Sequence, residues 1–244
     1  MNTQSKTFIV SLGGSVLCPE VIDEPFLKEF RNFILSQIKK GYKFIIITGG
    51  GKICRNYQNA ARAIAQTSNN DLDWLGIETT RLNGLLLKII FGKKAHPKLL
   101  DKRNQIRTFG HYSIIVGCGW EPGWSTDFDA VQTAVDFKVK TIVNLGKPHY
   151  VYTANPDKDK TARRIDKITW QDYLKIIPNK WTPGLSTPFD PIASRLAQQN
   201  NITVIVADGR NLVNFQKIIS GEKFKGTTIQ DKNLNSKIIN DLGI

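Results

Sequence analysis

The stretch "TGGGKICR" at residues 48–55 places three glycines and two cations directly after a strand-like apolar run at 44–47. Glycine lets backbone N–H groups approach a ligand closely, because no side chain stands in the way. The first turn of a helix adds unpaired N–H groups and a positive dipole end, and both favour a phosphate. A tight turn without a ligand would use the same glycines. Because Lys52 and Arg55 follow at once, the stretch favours an anion site.

Three further polar or glycine-bearing segments follow predicted strands, at 12–16, 117–127 and 144–159. The carboxyl ends of parallel strands meet at one edge of a sheet, so these segments are expected to converge on one crevice. Two glycine-rich anion sites in one crevice suit two phosphate-bearing ligands. Phosphoryl transfer depends mainly on positioning and on neutralising the charge of the moving group. The residues present therefore fit that reaction.

Other chemistries lack their motifs. The GxxxxGK[ST] spacing of a P-loop is absent, and no GxGxxG follows the first predicted strand. No GxSxG is present, which disfavours a serine hydrolase. His96, His111 and His149 have no partner spacing and are predicted to be surface or loop residues.

The elements that position these residues alternate between strand and helix patterns along the chain. Apolar runs predict strands at 7–12, 43–48, 111–117, 140–145 and 202–208. Helical spacing of apolar residues predicts helices at 24–40, 53–66, 72–92, 125–138, 169–177, 188–200 and 211–219. The alternation predicts an α/β fold with a parallel, doubly wound sheet. The polar residues 230–244 are predicted to form a tail.

The composition bears on the cellular location and on the partners to be expected. The chain has 244 residues, a net charge of +13 and three cysteines without CxxC spacing. No apolar run reaches the ~20 residues needed to span a bilayer, and no signal-peptide layout precedes the first strand. A reduced, cytoplasmic location and no membrane partner are therefore expected. Nucleic-acid binding is not expected, because the lysines are dispersed and no recognition pattern is present.

Four motifs together resemble the uridylate kinases of the amino acid kinase superfamily, most closely the archaeal type. They are "GGSVL" (13–17), "GGGKICRNY" (49–57), "DWLGIETTRLNG" (73–84) and "PGWSTDFDAVQTA" (122–134). The resemblance runs from about residue 7 to 229. It implies a three-layer α/β/α sandwich with a mainly parallel central sheet and two lobes, an acceptor lobe (about 1–138) and an ATP lobe (about 139–229). The implied reaction is ATP-dependent phosphorylation of UMP to UDP, with Mg²⁺ accompanying ATP.

The resemblance also assigns residues to three roles. The catalytic set is Lys52, Arg55 and Asp127. The UMP-binding set is Gly50, Asp73, Trp120, Glu121, Pro122, Gly123, Trp124, Ser125 and Thr126. The ATP-binding set is Gly14, Ser15, Gly51, Arg55, Gly146, Lys147, Tyr152 and Asn155. No protein-borne metal site and no general base are expected, and assembly into a homo-oligomer, from dimer to hexamer, is implied.

From the residues alone, three of these assignments have plain alternatives. Asp73 could instead cap the N-terminus of a helix, and Asp127 could likewise only cap a helix. Lys52 could be one more solvated helix lysine. All three alternatives stay open at the level of sequence.

The sequence departs from the family pattern at several places, among them Ser11 and the donor hairpin. Ser11 stands where the superfamily commonly has lysine or aspartate. Pro148, His149 and Tyr150 replace the Val-Asp-Gly of the donor hairpin, and loss of that glycine is expected to alter the turn. Two alternatives to a UMP kinase therefore remain. One is a kinase of another phosphate-bearing acceptor, such as isopentenyl phosphate, and the other is a catalytically silent nucleotide-binding relative.

Overall fold

The computed structural model describes residues 6–182, 185 and 187–231. The strands are β1 (Thr7–Leu12), β2 (Lys43–Thr48), β3 (Ile114–Gly117), β4 (Thr141–Gly146), β5 (Val151–Tyr152), β6 (Arg164–Ile165), β7 (Lys167–Ile168), β8 (Thr203–Asp208) and β9 (Thr227–Ile229). The helices are α1 (Gly14–Leu17), α2 (Glu24–Lys39), α3 (Gly51–Ile64), α4 (Asn69–Phe91), α5 (Thr126–Asp136), α6 (Trp170–Ile176), α7 (Pro191–Gln199) and α8 (Leu212–Ser220). The predicted tail from residue 232 onward lies outside the described residues.

Seven strands form one sheet in the order β3-β2-β1-β4-β8-β9-β7, and β5 pairs with β6 in a separate antiparallel hairpin. The five strands from β3 to β8 run parallel, whereas β9 is antiparallel to β8. The prediction of a mainly parallel sheet is confirmed. β7 and β9 were not predicted as strands, since two or three residues give no periodic signal.

Alternate residues of the central strands pack against opposite helical layers, as the period of two requires. Val10 and Ile46 belong to the apolar cluster that contains residues of α2, α4 and α8. Ile9 and Ile45 belong to the cluster that contains residues of α5, α6 and α7. Since both faces are covered, the inner strands are near-continuous apolar runs. The predicted three-layer α/β/α sandwich is confirmed.

Local signals set the helix ends as the sequence predicts. The Ser125 hydroxyl accepts from the Asp127 N–H at the start of α5, so Ser125 is the N-cap. Gly92 ends α4 with φ of +55°, a conformation that favours glycine. No helix in the described part of the chain is long and apolar enough to span a membrane.

Candidate active site

Two glycine turns lie in direct backbone contact at the carboxyl edge of the sheet, one after β1 and one after β2. A Cβ added to Gly14 would lie 1.9 Å from the Gly51 nitrogen. A Cβ on Gly51, where φ is +70°, would lie 2.5 Å from the Gly14 carbonyl oxygen. Packing of the turns therefore requires these glycines, with or without a ligand. The same contact places the start of α3 directly beside the β1–α1 turn.

A cavity of about 180 Å³ opens on one side of these turns, between α3, α4 and the start of α5. Five residues predicted to bind UMP line it: Gly50, Asp73, Trp124, Ser125 and Thr126. Eight lining residues were not predicted: Cys54, Gln58, Gly76, Ile77, Thr80, Gly119, Trp181 and Leu185. We call this space the acceptor cavity.

Asp73 lies in the second turn of α4 and faces the acceptor cavity. The N-cap of α4 is Ser68, which forms a capping box with Asp71. The alternative that Asp73 caps the helix is therefore wrong. Its Oδ2 accepts from the Gly123 N–H at 2.9 Å, which fastens the loop before α5 to α4. Burial raises the pKa of the Asp73 carboxyl, and this hydrogen bond opposes the shift.

The two loop tryptophans face in different directions. The Trp120 indole is buried in the apolar core and its Nε1 donates to the Leu100 carbonyl at 3.1 Å, so only its backbone remains for a ligand. Trp124 lines the acceptor cavity, and its Nε1 donates to Asp129 Oδ1 at 3.0 Å. Glu121, Pro122 and Gly123 are not among the described residues of the cavity wall.

Asp127 links β1 to the start of α7 through two hydrogen bonds. Its Oδ1 accepts from the Ser11 hydroxyl at 3.0 Å, and its Oδ2 accepts from the Asp190 N–H at 3.2 Å. Burial, and next the nearby Asp190 carboxylate, raise the pKa of Asp127 to about 7. Ser11, in the position where lysine or aspartate is common, therefore serves as a hydrogen-bond donor to this carboxyl. It supplies no charge there.

The two predicted catalytic cations lie in the first turns of α3. Lys52 Nζ lies 3.4 Å from Glu20 Oε2, and both side chains are exposed. Exposed ion pairs are worth only about 0–1 kcal/mol, so this one would be exchanged readily for a phosphate. Arg55 is exposed one turn further on.

A second and larger cavity, of about 540 Å³, lies beyond the carboxyl ends of β4 and β8. Its wall includes Lys147, Tyr152 and Asn155, three of the predicted ATP-binding residues. We call this space the donor cavity. Gly146 is outside its wall and instead accepts from the Gly209 N–H at 2.9 Å.

The altered hairpin residues Pro148, His149 and Tyr150 also line the donor cavity. His149 is exposed, as predicted, and its Nδ1 lies 3.5 Å from Asp208 Oδ2. None of the three has positive φ; among the described residues other than glycine, that conformation occurs at 104, 138 and 201. The turn therefore tolerates side chains here.

The sequence pattern of the amino acid kinase family matches residues 6–208. The chain therefore belongs to the amino acid kinase family.

Within that family the similar proteins are uridylate kinases. The chain is 31% identical to "Uridylate kinase" of Thermoplasma volcanium, over 93% of this chain and 99% of the relative. It is 28% identical to "Uridylate kinase" of Methanocorpusculum labreanum, over 95% and 98% of the two chains. The structure of uridylate kinase from Archaeoglobus fulgidus superposes with a TM-score of 0.75 at 29% identity, covering 92% of this chain and 99% of that one.

Proposed function

We propose that this protein transfers the γ-phosphoryl group of ATP to UMP, giving UDP and ADP in pyrimidine nucleotide metabolism. The observation that carries the proposal is the placement of two cavities at the carboxyl edge of one sheet, one of them beside the packed glycine turns. One cavity contains Gly50 and Asp73 in its wall, and the other contains Tyr152 and Asn155. Relatives named uridylate kinase along nearly the full length of the chain support the same reaction.

The size of the acceptor cavity supports a pyrimidine acceptor. Its volume is about 180 Å³. An engineered protein cavity of about 150 Å³ holds one benzene molecule, which is a single six-membered ring. A single pyrimidine ring therefore fits the acceptor cavity. Asp73 Oδ2 already accepts from Gly123, which leaves the second carboxylate oxygen for a ribose hydroxyl.

The chemical step needs no protein base, because the attacking UMP phosphate oxygen is already ionised. That oxygen forms a bond to the γ-phosphorus of ATP while the bond between γ-phosphorus and the bridging oxygen breaks, and ADP leaves. Lys52 and Arg55 would stabilise the charge on the transferring group. Asp127, which accepts hydrogen bonds from Ser11 and from the Asp190 N–H, would hold the start of α5 in a fixed position relative to the start of α7.

We assign Mg²⁺ to the phosphates of ATP. Among the described residues, no group of three or more His, Cys, Asp or Glu side chains could hold a metal ion. Mg²⁺ commonly takes substrate phosphates and water as most of its ligands. When bound, it would neutralise the charge of the donor phosphates. The Lys147 side chain in the donor cavity wall would add a further cation.

We also propose a homo-oligomer, from dimer to hexamer. Leu82, Leu85 and Ile89 form an exposed apolar stripe on the outer face of α4, with 61%, 38% and 64% of their surfaces accessible. Such contiguous apolar surface marks protein–protein contacts more often than chance exposure. A cytoplasmic location is consistent with the three free thiols, Cys18, Cys54 and Cys118.

The test is an ADP-release assay on the purified protein with ATP, Mg²⁺ and a panel of acceptors: UMP, CMP, dTMP, AMP and isopentenyl phosphate. We expect release mainly with UMP. Preference for isopentenyl phosphate would support kinase activity but would show that UMP is not the acceptor. Nucleotide binding without release on any acceptor would leave a silent relative.

A further inference from the structure

We propose that Trp181 is a specificity-determining residue that contacts the base of the acceptor nucleotide; this inference rests on the proposed function. Trp181 lies after α6, far along the chain from the motifs that form the rest of the site. It nevertheless lines the acceptor cavity, together with Trp124 and Leu185. The cavity therefore has one indole from the loop before α5 and a second from the connection between α6 and α7.

Hydrogen bonds fix the described residues at the two ends of the connection. Arg195 Nη2 donates to the Asn179 carbonyl at 2.9 Å, two residues before Trp181. Asn144 Nδ2 donates to the Pro188 carbonyl at 2.7 Å, close to the start of α7. The Tyr173 hydroxyl is hydrogen-bonded to both the N–H and the carbonyl of Phe189. Trp181 therefore lies two residues from a backbone contact with α7.

Three other tryptophans have structural hydrogen bonds. Trp120, Trp124 and Trp170 each donate their indole N–H to a protein oxygen. Trp181 is partly buried in the wall of the acceptor cavity. Its indole N–H is only a donor, so it could donate to a base that carries carbonyl oxygens, as uracil does.

The ring face of Trp181 can also stack on a base. Base–aromatic stacking is worth about 1–3 kcal/mol per base, which corresponds to a change of about 5- to 150-fold in affinity. Trp124 and Trp181 are the aromatic side chains among the described residues of the cavity wall. Stacking of the base is therefore assigned to these two indoles.

The experiment is isothermal titration of the full-length protein with UMP and with ribose 5-phosphate, which has the sugar and phosphate without the base. Three variants are compared with the native chain: Trp181→Ala, Trp181→Phe and the control Trp74→Ala. Trp74 is 44% exposed on α4 and lines neither the acceptor nor the donor cavity. Thermal unfolding of each variant checks that the fold is retained.

We expect Trp181→Ala to weaken UMP binding by about 5- to 150-fold while ribose 5-phosphate binds as before. Trp181→Phe should restore most of the UMP affinity, and Trp74→Ala should leave both ligands unaffected. Unchanged UMP binding in Trp181→Ala would overturn the inference. An equal loss for both ligands would also overturn it, since it indicates a general disturbance of the cavity. If the native chain does not bind UMP at all, the proposed acceptor itself is wrong.

Discussion

Replacing Asp127 by Asn should change how the stability of the protein depends on pH. The folded state raises the pKa of Asp127 to about 7, chiefly through burial. In the unfolded chain an aspartate has a pKa of about 3.9. Between these values the unfolded chain releases this proton while the folded chain retains it. Ionisation of Asp127 therefore favours unfolding as pH rises from about 4 to 7.

The size of the effect follows from the difference in pKa. Each pKa unit corresponds to about 1.4 kcal/mol, so the difference of about three units corresponds to about 4 kcal/mol in all. Between pH 5 and pH 8 this group alone should lower the free energy of unfolding by about 2–3 kcal/mol. The variant lacks this contribution. Any change in the hydrogen bonds to Ser11 and to the Asp190 N–H adds a cost that does not vary with pH.

The assay is urea unfolding of the native chain and the variant at half-unit intervals from pH 5 to pH 8. The quantity to compare is the slope of unfolding free energy against pH, because the slope is insensitive to the constant cost of the amide. Asp166→Asn is the matched control, since Asp166 is exposed and forms its ion pair with the exposed Arg164. Parallel slopes for the native chain and Asp127→Asn would refute the raised pKa and the burial argument behind it.

Three further changes test other parts of the site and surface. Lys52→Ala should lower turnover by about 100-fold or more while UMP still binds, because the variant loses a group that stabilises charge in the transition state. The control is Glu20→Ala, which removes only the exposed partner of Lys52. Equal turnover in the two variants would show that Lys52 takes no part in the mechanism. Gly14→Ala should lower the free energy of unfolding by at least about 3 kcal/mol, or the melting temperature by about 6–12 °C, because the added Cβ would collide with the backbone of the neighbouring turn. An unchanged melting curve would contradict the contact between the turns. Leu82→Glu with Ile89→Glu should reduce the assembly to a 27.5 kDa protomer in light scattering, and an unchanged mass would place the interface elsewhere.

The layers and the parallel strands could be predicted from sequence because their signals are local. The apolar run at 43–48 predicted a strand, and Gly92 predicted the end of a helix. The structure confirms both. Short strands were missed, since β9 has three residues and depends on pairing with β8. The sheet edge at which the glycine turns lie also followed from the order of strands and helices alone.

The site could be predicted only in part, because cavity walls depend on side-chain direction. Trp120 and Trp124 are four residues apart in one loop, yet one indole enters the core and the other the acceptor cavity. Gln58 shows the opposite case: it has no motif of its own, but its place on α3 brings it to the cavity wall. Trp181 could not be predicted, because it lies far along the chain from the motifs that form the rest of the site.

The contact between the two glycine turns leaves no room for side chains, whereas other positions near the site can accept them. No side chain fits at Gly14 or Gly51, so the frame that would hold the phosphates is closed to substitution. The turn at 148–150, between β4 and β5, has no residue with positive φ and accepts side chains. Changes that alter the choice of donor base can therefore accumulate in the hairpin without disturbing the reacting centre. In evolutionary terms, the donor can diverge while the chemistry stays fixed.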